Sequence, residues 1–333
     1  MKARDRVLCA LNHQEPDRVP IDLGGTACTS IHRLGYAELR QHLGLEPRNP
    51  GIVDPFQQLP FLHEDVLQRF GADVRMLELV PGEGDHPPVV EEGRYTAFYD
   101  DWGAKVQMPR EGGLYYDWVE FPIKEFTLQA LDEYEWPGPI PPERLADLRR
   151  RAEFLRQETP YALAGTGIIG GGIFEQAATL VGFESLMRAL LREPEFADQL
   201  MGRITAVYVA SCSAYLEAVG EFLDVFVYMD DVCGQDGWLI SPDLYQRMIK
   251  PKQRHLIETV RERTDAKIFY HGCGAVFGLI PHLIGIGVDI INPVQVSARG
   301  MDPGRIKREY GRDIVLWGAT VDTQHTLPFG TPE

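Results

Sequence analysis

The chain has 333 residues, with 33 lysines and arginines against 49 acidic residues and a net charge of −16; the acidic balance argues against a nucleic-acid or anionic-membrane partner and favours solubility. The length suits one elaborated α/β-barrel domain with a large core. Five scattered cysteines (Cys9, Cys28, Cys212, Cys233, Cys273) exclude a disulfide framework. The charged start Met1-Lys-Ala-Arg-Asp-Arg6 is no signal segment, and no apolar run approaches about 18 residues, so a reducing, cytoplasmic setting is expected.

The first 72 residues read as an N-terminal extension. Met1 to Asn12 is helical, with Val7, Leu8 and Leu11 on one face, and Glu15-Pro-Asp-Arg-Val-Pro20 ends the helix because two close prolines favour an extended chain. A small-residue loop, Gly24 to Ser30, precedes helices near 34–43 and 60–70, and Asp73 to Val80 reads as the first strand of the main sheet. From Arg94 to Phe121, aromatics alternate with polar residues around Gly103 and Gly112-Gly113, which predicts a β-hairpin or small antiparallel insertion. After the proline-rich link 136–142 comes a helix over 144–157. Strand 161–164 then runs into the loop Gly165-Thr-Gly-Ile-Ile-Gly-Gly-Gly172, which lacks the Lys-Ser/Thr of a phosphate loop.

A long helical region leads to strand 224–229, ending in Asp230-Asp231. A helix capped by Ser241 with Pro242 at its first position is expected to kink at Pro251. Strand 267–270, helix 276–284, strand 288–292, helix 302–310 and strand 314–317 complete the pattern. Strands alternating with helices, each strand ending in polar or glycine-rich residues, predict βα units and a (β/α)₈ TIM barrel spanning residues 1–333. The sequence stops soon after the last strand, where a barrel carries an eighth helix, so either the chain is cut there or another element seals that position.

In such a barrel the chemistry sits at the carboxyl ends of the strands. The candidates are Glu175, Asp230, Asp231, His271, Cys273, Asn292, Gln295, Asp322, Gln324 and His325. His271-Gly-Cys273 stands out: residues two apart on a strand face one side, so imidazole and thiol converge, and Gly272 and Gly274 leave the point open. Zn²⁺ takes such a pair, with a third protein ligand and an open fourth position in catalytic sites. Asp230-Asp231 reads either as a cap for the next segment or as a group acting on substrate. Glu175 reads either as a helix N-terminal carboxylate satisfied by backbone amides or as a catalytic group.

From about Arg144 onward, Phe174-Glu175, Asp230-Asp231…Ile240-Ser-Pro242, His271-Gly-Cys-Gly274, Asp289-Ile-Ile-Asn-Pro293 and Trp317-Gly-Ala-Thr-Val-Asp-Thr-Gln324 resemble the uroporphyrinogen decarboxylase superfamily, as does the opening Glu15-Pro-Asp-Arg-Val-Pro20. That superfamily has cofactor-free decarboxylases, which bind a tetrapyrrole through an N-terminal arginine motif, and corrinoid-dependent methyltransferases, which hold zinc through His-x-Cys and a later ligand. Here the arginine motif is replaced by Asp22-Leu-Gly-Gly-Thr-Ala-Cys28, leaving a many-fold carboxylated porphyrinogen without counter-charges. The resemblance therefore implies the methyltransferase branch. His271 and Cys273 match its ligand pair, and His325, ahead of Asp322, is expected to replace the third, a cysteine in the coenzyme-M-type enzymes.

On this reading Asp231 and Glu175 are catalytic, and Asp230, Asn292, Gln295, Asp322 and Gln324 bind substrate. Zinc polarises the heteroatom of a small methylated substrate or binds an acceptor thiol as thiolate. A corrinoid (cobalamin) carried by a partner protein docks at the glycine-rich rim and exchanges the methyl group. The alternative is a metal-free lyase of the decarboxylase type acting on a non-porphyrin acid through Asp231. A non-catalytic tetrapyrrole-binding module would have no use for His271, Cys273 and His325.

Overall fold

Six short parallel strands organise the molecule, a computed structural model that describes residues 1–79 and 88–331. They are β1 (Val74–Met76), β2 (Ala162–Gly165), β3 (Val225–Met229), β4 (Lys267–His271), β5 (Ile290–Asn292) and β6 (Val315–Leu316). Each pairs in parallel with the next strand in this series. The order never reverses, which separates this sheet from the doubly wound kind. A flat sheet of six strands would hold its edges roughly 24 Å apart. Here one short segment touches both: the Ile21 carbonyl accepts from the Asp73 amide ahead of β1, and Asp22 accepts from the Trp317 indole just after β6. The sheet is curled into the TIM barrel.

Side-chain alternation builds the two layers. Val74, Ala162, Ala164, Val225, Val227, Phe269 and Ile290 share one buried cluster with Val315 and Trp317. The opposite faces of the same strands (Leu163, Phe226, Tyr228, Ile268, Tyr270, Ile291) join the larger core shared with the helices. Helix α1 (Ala3–Leu11) contributes Val7 and Leu11 to the inner cluster, and the Arg4 amide donates to the Pro160 carbonyl just before β2, so α1 plugs the amino end of the barrel.

Two buried aspartates fasten that plug. Asp73 accepts from Arg6 Nη1 at 2.8 Å, Arg18 Nη1 at 2.7 Å and the Ile21 amide at 2.8 Å. Asp224 accepts from Arg4 Nε, Arg156 Nη2 and the Leu163 amide, each at 2.9 Å.

The aromatic insertion is a four-stranded antiparallel sheet, Val90–Glu92, Tyr95–Tyr99, Lys105–Pro109 and Asp117–Glu120, so it begins before Arg94 and holds two strands more than a hairpin. Two expected boundaries move. The helix placed at 60–70 starts at Glu64, because Leu59–Pro60 pairs with Ile52–Asp54. The first strand ends at Met76, and the expected end, Val80, lies outside the described residues. Ahead of Pro251 the helix takes a π-turn over Tyr245–Ile249, which accommodates the missing donor. After β6 comes a short helix, Thr326–Phe329. No described helix is long and apolar enough to cross a membrane.

Replacing Asp73 by Ala would take from Arg6, which is 8 % exposed, its buried counter-charge, leaving it the more exposed Asp17 alone. The expected cost is about 3–5 kcal/mol of unfolding free energy, read from urea denaturation; a loss under about 1 kcal/mol would mean that the plug is held by packing alone.

Candidate metal centre

Strand register sets out the centre. On β4, His271 pairs with Met229 of β3 on one side and with Asn292 of β5 on the other. Two residues further on, where the chains leave the sheet, Cys273 and Asp231 are therefore neighbours. The Asp231 carboxylate accepts from the Cys273 amide at 2.6 Å, and Cys273 Sγ lies 3.6 Å from His271 Nε2. Among the described residues these three form one group with ligand atoms within 4.8 Å of one another, each side chain partly exposed.

The donor chemistry fits a metal ion. Zinc–ligand distances in a tetrahedral site imply ligand–ligand separations of roughly 3.3–3.8 Å, and the His271–Cys273 separation falls inside that span. A hydrogen-bond chain also sets the imidazole tautomer. Asn292 Nδ2 donates to the Trp317 carbonyl at 2.9 Å, which turns its Oδ1 toward His271 Nδ1 at 2.6 Å. Nδ1 therefore carries the proton and Nε2 is free to ligate. Burial opposes a charge on His271, but the bond and charge of Cys273, then Asn292 and Asp231, outweigh it and raise its pKa.

The turn that carries Cys273 needs glycine. Gly274 has φ +92°, and a Cβ there would lie 2.5 Å from the Gly234 carbonyl oxygen. Its amide donates to Gln295 Oε1 at 2.7 Å, so Gln295 supports the ligand loop.

Asp230 is a buried organiser. Its carboxylate accepts from the amides of Phe174 and Glu175 at the start of helix Ile173–Val181, from the Tyr228 hydroxyl at 2.9 Å and from Gln253 Nε2 at 2.9 Å. Burial pushes it up to about 6 against those donors. Its side chain has no exposed surface and is held by these four donors. Glu175 sits on the same helix end. Its Oε2 accepts from the Gly172 amide at 3.1 Å, so the backbone-satisfied reading holds for one oxygen. Burial, then the charges of Asp231 and Asp230, push it up to about 7.

The third-ligand expectation changes. His325 is 75 % exposed and faces Asp322 Oδ2 at 3.3 Å, while Asp322 Oδ1 accepts from the amides of Gln324 and His325. These three residues form a local turn away from His271 and Cys273. The reason is topological: β5 separates β6 from β4, whereas Asp231 follows the adjoining β3. Asp231, read from sequence as an acid–base group, is the residue whose carboxylate comes within 4.8 Å of the His271 and Cys273 ligand atoms.

Sequence reading missed Asn292 as the orienter of His271, along with Glu78 and Cys28. Glu78 was hidden inside the overlong first strand. Cys28 lies in the Gly24–Ser30 loop, where its thiol is pushed up by burial and then by Glu78, Glu175, Asp54 and Asp231, which brings the loop to the same rim.

A barrel whose chemically capable side chains gather at the carboxyl rim has the layout of the barrel enzymes. This chain belongs to the uroporphyrinogen decarboxylase (URO-D) family, which it matches over residues 97–333. Among solved structures it resembles a methyltransferase from Methanosarcina mazei at 15 % identity and a TM-score of 0.54, covering 88 % of this chain and 76 % of that one. No curated protein matches it.

Nitrogen NMR is expected to find His271 protonated at Nδ1. Asn292→Ala should abolish that preference and weaken Zn²⁺ binding about 10–100-fold in competition with a chelator; unchanged affinity would remove Asn292 from the centre.

Proposed function

We propose that the protein is a zinc-dependent methyltransferase that moves a methyl group between a small methylated substrate or thiol and a corrinoid carried by a partner protein. The observation that carries the reading is the convergence of His271 Nε2, Cys273 Sγ and Asp231 on one rim position. The likeness in fold to a protein named as a methyltransferase adds to it.

His271, Cys273 and Asp231 would hold the metal. A bound zinc ion supplies a Lewis acid that polarises the heteroatom next to a methyl group, or lowers the pKa of a thiol, at its open position. The protein's own residues do the rest. Asn292 keeps His271 Nε2 unprotonated and aimed inward, and the Cys273 amide fixes the Asp231 carboxylate. Gln295 locks the turn behind the thiol. Glu175, lifted to about 7, is poised to give or take a proton as the heteroatom changes charge. The corrinoid protein would dock over this rim, because a methyl group held beside the three ligands is reached from the barrel mouth. The metal-free lyase reading keeps Asp231 and Glu175 but gives the His271–Cys273 pair no role.

Protein purified without chelator is expected to contain one zinc ion per chain. Cys273→Ser and Asp231→Ala should each lower zinc stoichiometry and methyl transfer together, while His325→Ala leaves both unchanged. Full activity in protein stripped of metal would end this proposal.

A further inference from the structure

One chain of contacts runs from the N-terminal extension to the candidate centre. Asp22 Oδ2 accepts from the Trp317 indole at 3.1 Å, across 295 residues of sequence. The Trp317 carbonyl accepts from Asn292 Nδ2 at 2.9 Å, and Asn292 Oδ1 lies 2.6 Å from His271 Nδ1. Asp22 is itself fixed on the β1 side of the closing seam. Its Oδ1 accepts from the Gly25 amide at 2.9 Å, and the Ile21 carbonyl just before it accepts from the Asp73 amide ahead of β1. A Cβ at Gly25 would lie 2.4 Å from Asp22 Oδ1 and 2.7 Å from Val74 Cβ, so this turn packs directly on the first strand.

Trp317 is where the clasp meets the centre. Its amide donates to the Ile291 carbonyl at 2.9 Å, which extends the ladder of β6 by one bond. Its ring packs at right angles to Phe269, with centroids 5.4 Å apart. The next residue, Gly318, turns away with φ +124°. The Trp317 carbonyl belongs to the peptide that enters this turn, so strand pairing holds its residue on the amide side and the indole bond to Asp22 holds it by the side chain. Asn292 is 5 % exposed, and which way its side-chain amide faces follows from where that carbonyl sits. One residue thus closes the barrel and turns the group that sets the His271 tautomer.

We infer that Asp22 is a positioning residue for the metal centre: by holding the Trp317 indole it fixes the carbonyl that turns Asn292, and so aims His271 Nε2 at the metal. This rests on reading His271, Cys273 and Asp231 as a metal centre. The closing seam and the metal are then coupled in both directions. Whatever factor the clasp adds to zinc affinity, zinc adds to the stability of the clasp.

Two variants test this. Asp22→Ala removes the acceptor, and Trp317→Phe removes the donor while keeping an aromatic ring against Phe269. In metal-free protein, nitrogen NMR should show the Nδ1-protonated form of His271 giving way to a mixture of tautomers in either variant. Zinc affinity in competition with a chelator should fall about three- to tenfold in each, less than in Asn292→Ala because Asp22 acts through Trp317 and Asn292. The double variant should lose no more than one single variant, since both remove the same bond. A role in stability alone would lower the melting temperature and leave the tautomer and the zinc affinity of the folded protein as they were. An unchanged tautomer, unchanged zinc affinity or additive losses would each overturn the inference and leave the metal centre standing. No zinc binding by the unaltered protein would overturn both. Should both variants fail to fold, hydrogen exchange at the Trp317 indole of the unaltered protein decides: saturating zinc should slow it severalfold, and an equal rate with and without zinc is the refuting result.

Discussion

The buried carboxylate of Asp230 is the constraint on which the rim depends. It joins the end of β3 to the start of helix Ile173–Val181 through the Phe174 and Glu175 amides, and to the helix after Ser241 through Gln253. Its own amide donates to the His271 carbonyl, and its carbonyl accepts from the Tyr270 hydroxyl, so β3 and β4 leave the sheet in register. Asp231 is set opposite Cys273 because Asp230 is held there. A charge placed at a helix amino terminus and given several donors is tolerable in the interior, where an unpaired one is not.

Close approach of chains replaces side-chain bulk around this anchor. Gly172 packs so near Asp230 that a Cβ would lie 2.3 Å from its carboxylate. The Gly165–Gly172 loop is then pinned from outside. The Trp102 indole of the insertion donates to the Ile169 carbonyl at 2.8 Å, and the Tyr208 hydroxyl donates to the Gly171 carbonyl at 2.7 Å. The insertion thus supports the loop that positions Glu175, a role beyond covering the core.

The two ends of the barrel divide the work. At the amino end, Asp73 and Asp224 are each surrounded by arginines and serve stability. At the carboxyl end, burial lifts Glu78 and Glu175 well above the usual carboxylate range, with the Arg151 charge opposing it at Glu78 and no ion pair to either among the described residues. Paired carboxylates at one end and unpaired ones at the other are what a scaffold with a single working face would show.

The order of strands and helices was legible in the sequence because each βα unit carries its own periodicity, caps and strand-end residues. So was His271-Gly-Cys273, a local pair whose spacing alone puts both side chains on one face. That Asp231 shares their rim was legible from its strand-end place, but its direct contact with Cys273 was not, since it follows from the pairing of His271 with Met229 across 42 residues of chain. The same holds for Asn292 and Glu78, whose parts depend on which strands adjoin and where a strand ends. His325 looked suitable by residue type, and only the intervening β5 and the local turn with Asp322 set it apart. Sequence by itself determined the repeating unit and the chemical types available; the closing of the barrel decided which of them meet, because register between neighbouring strands is a property of the sheet and not of either segment.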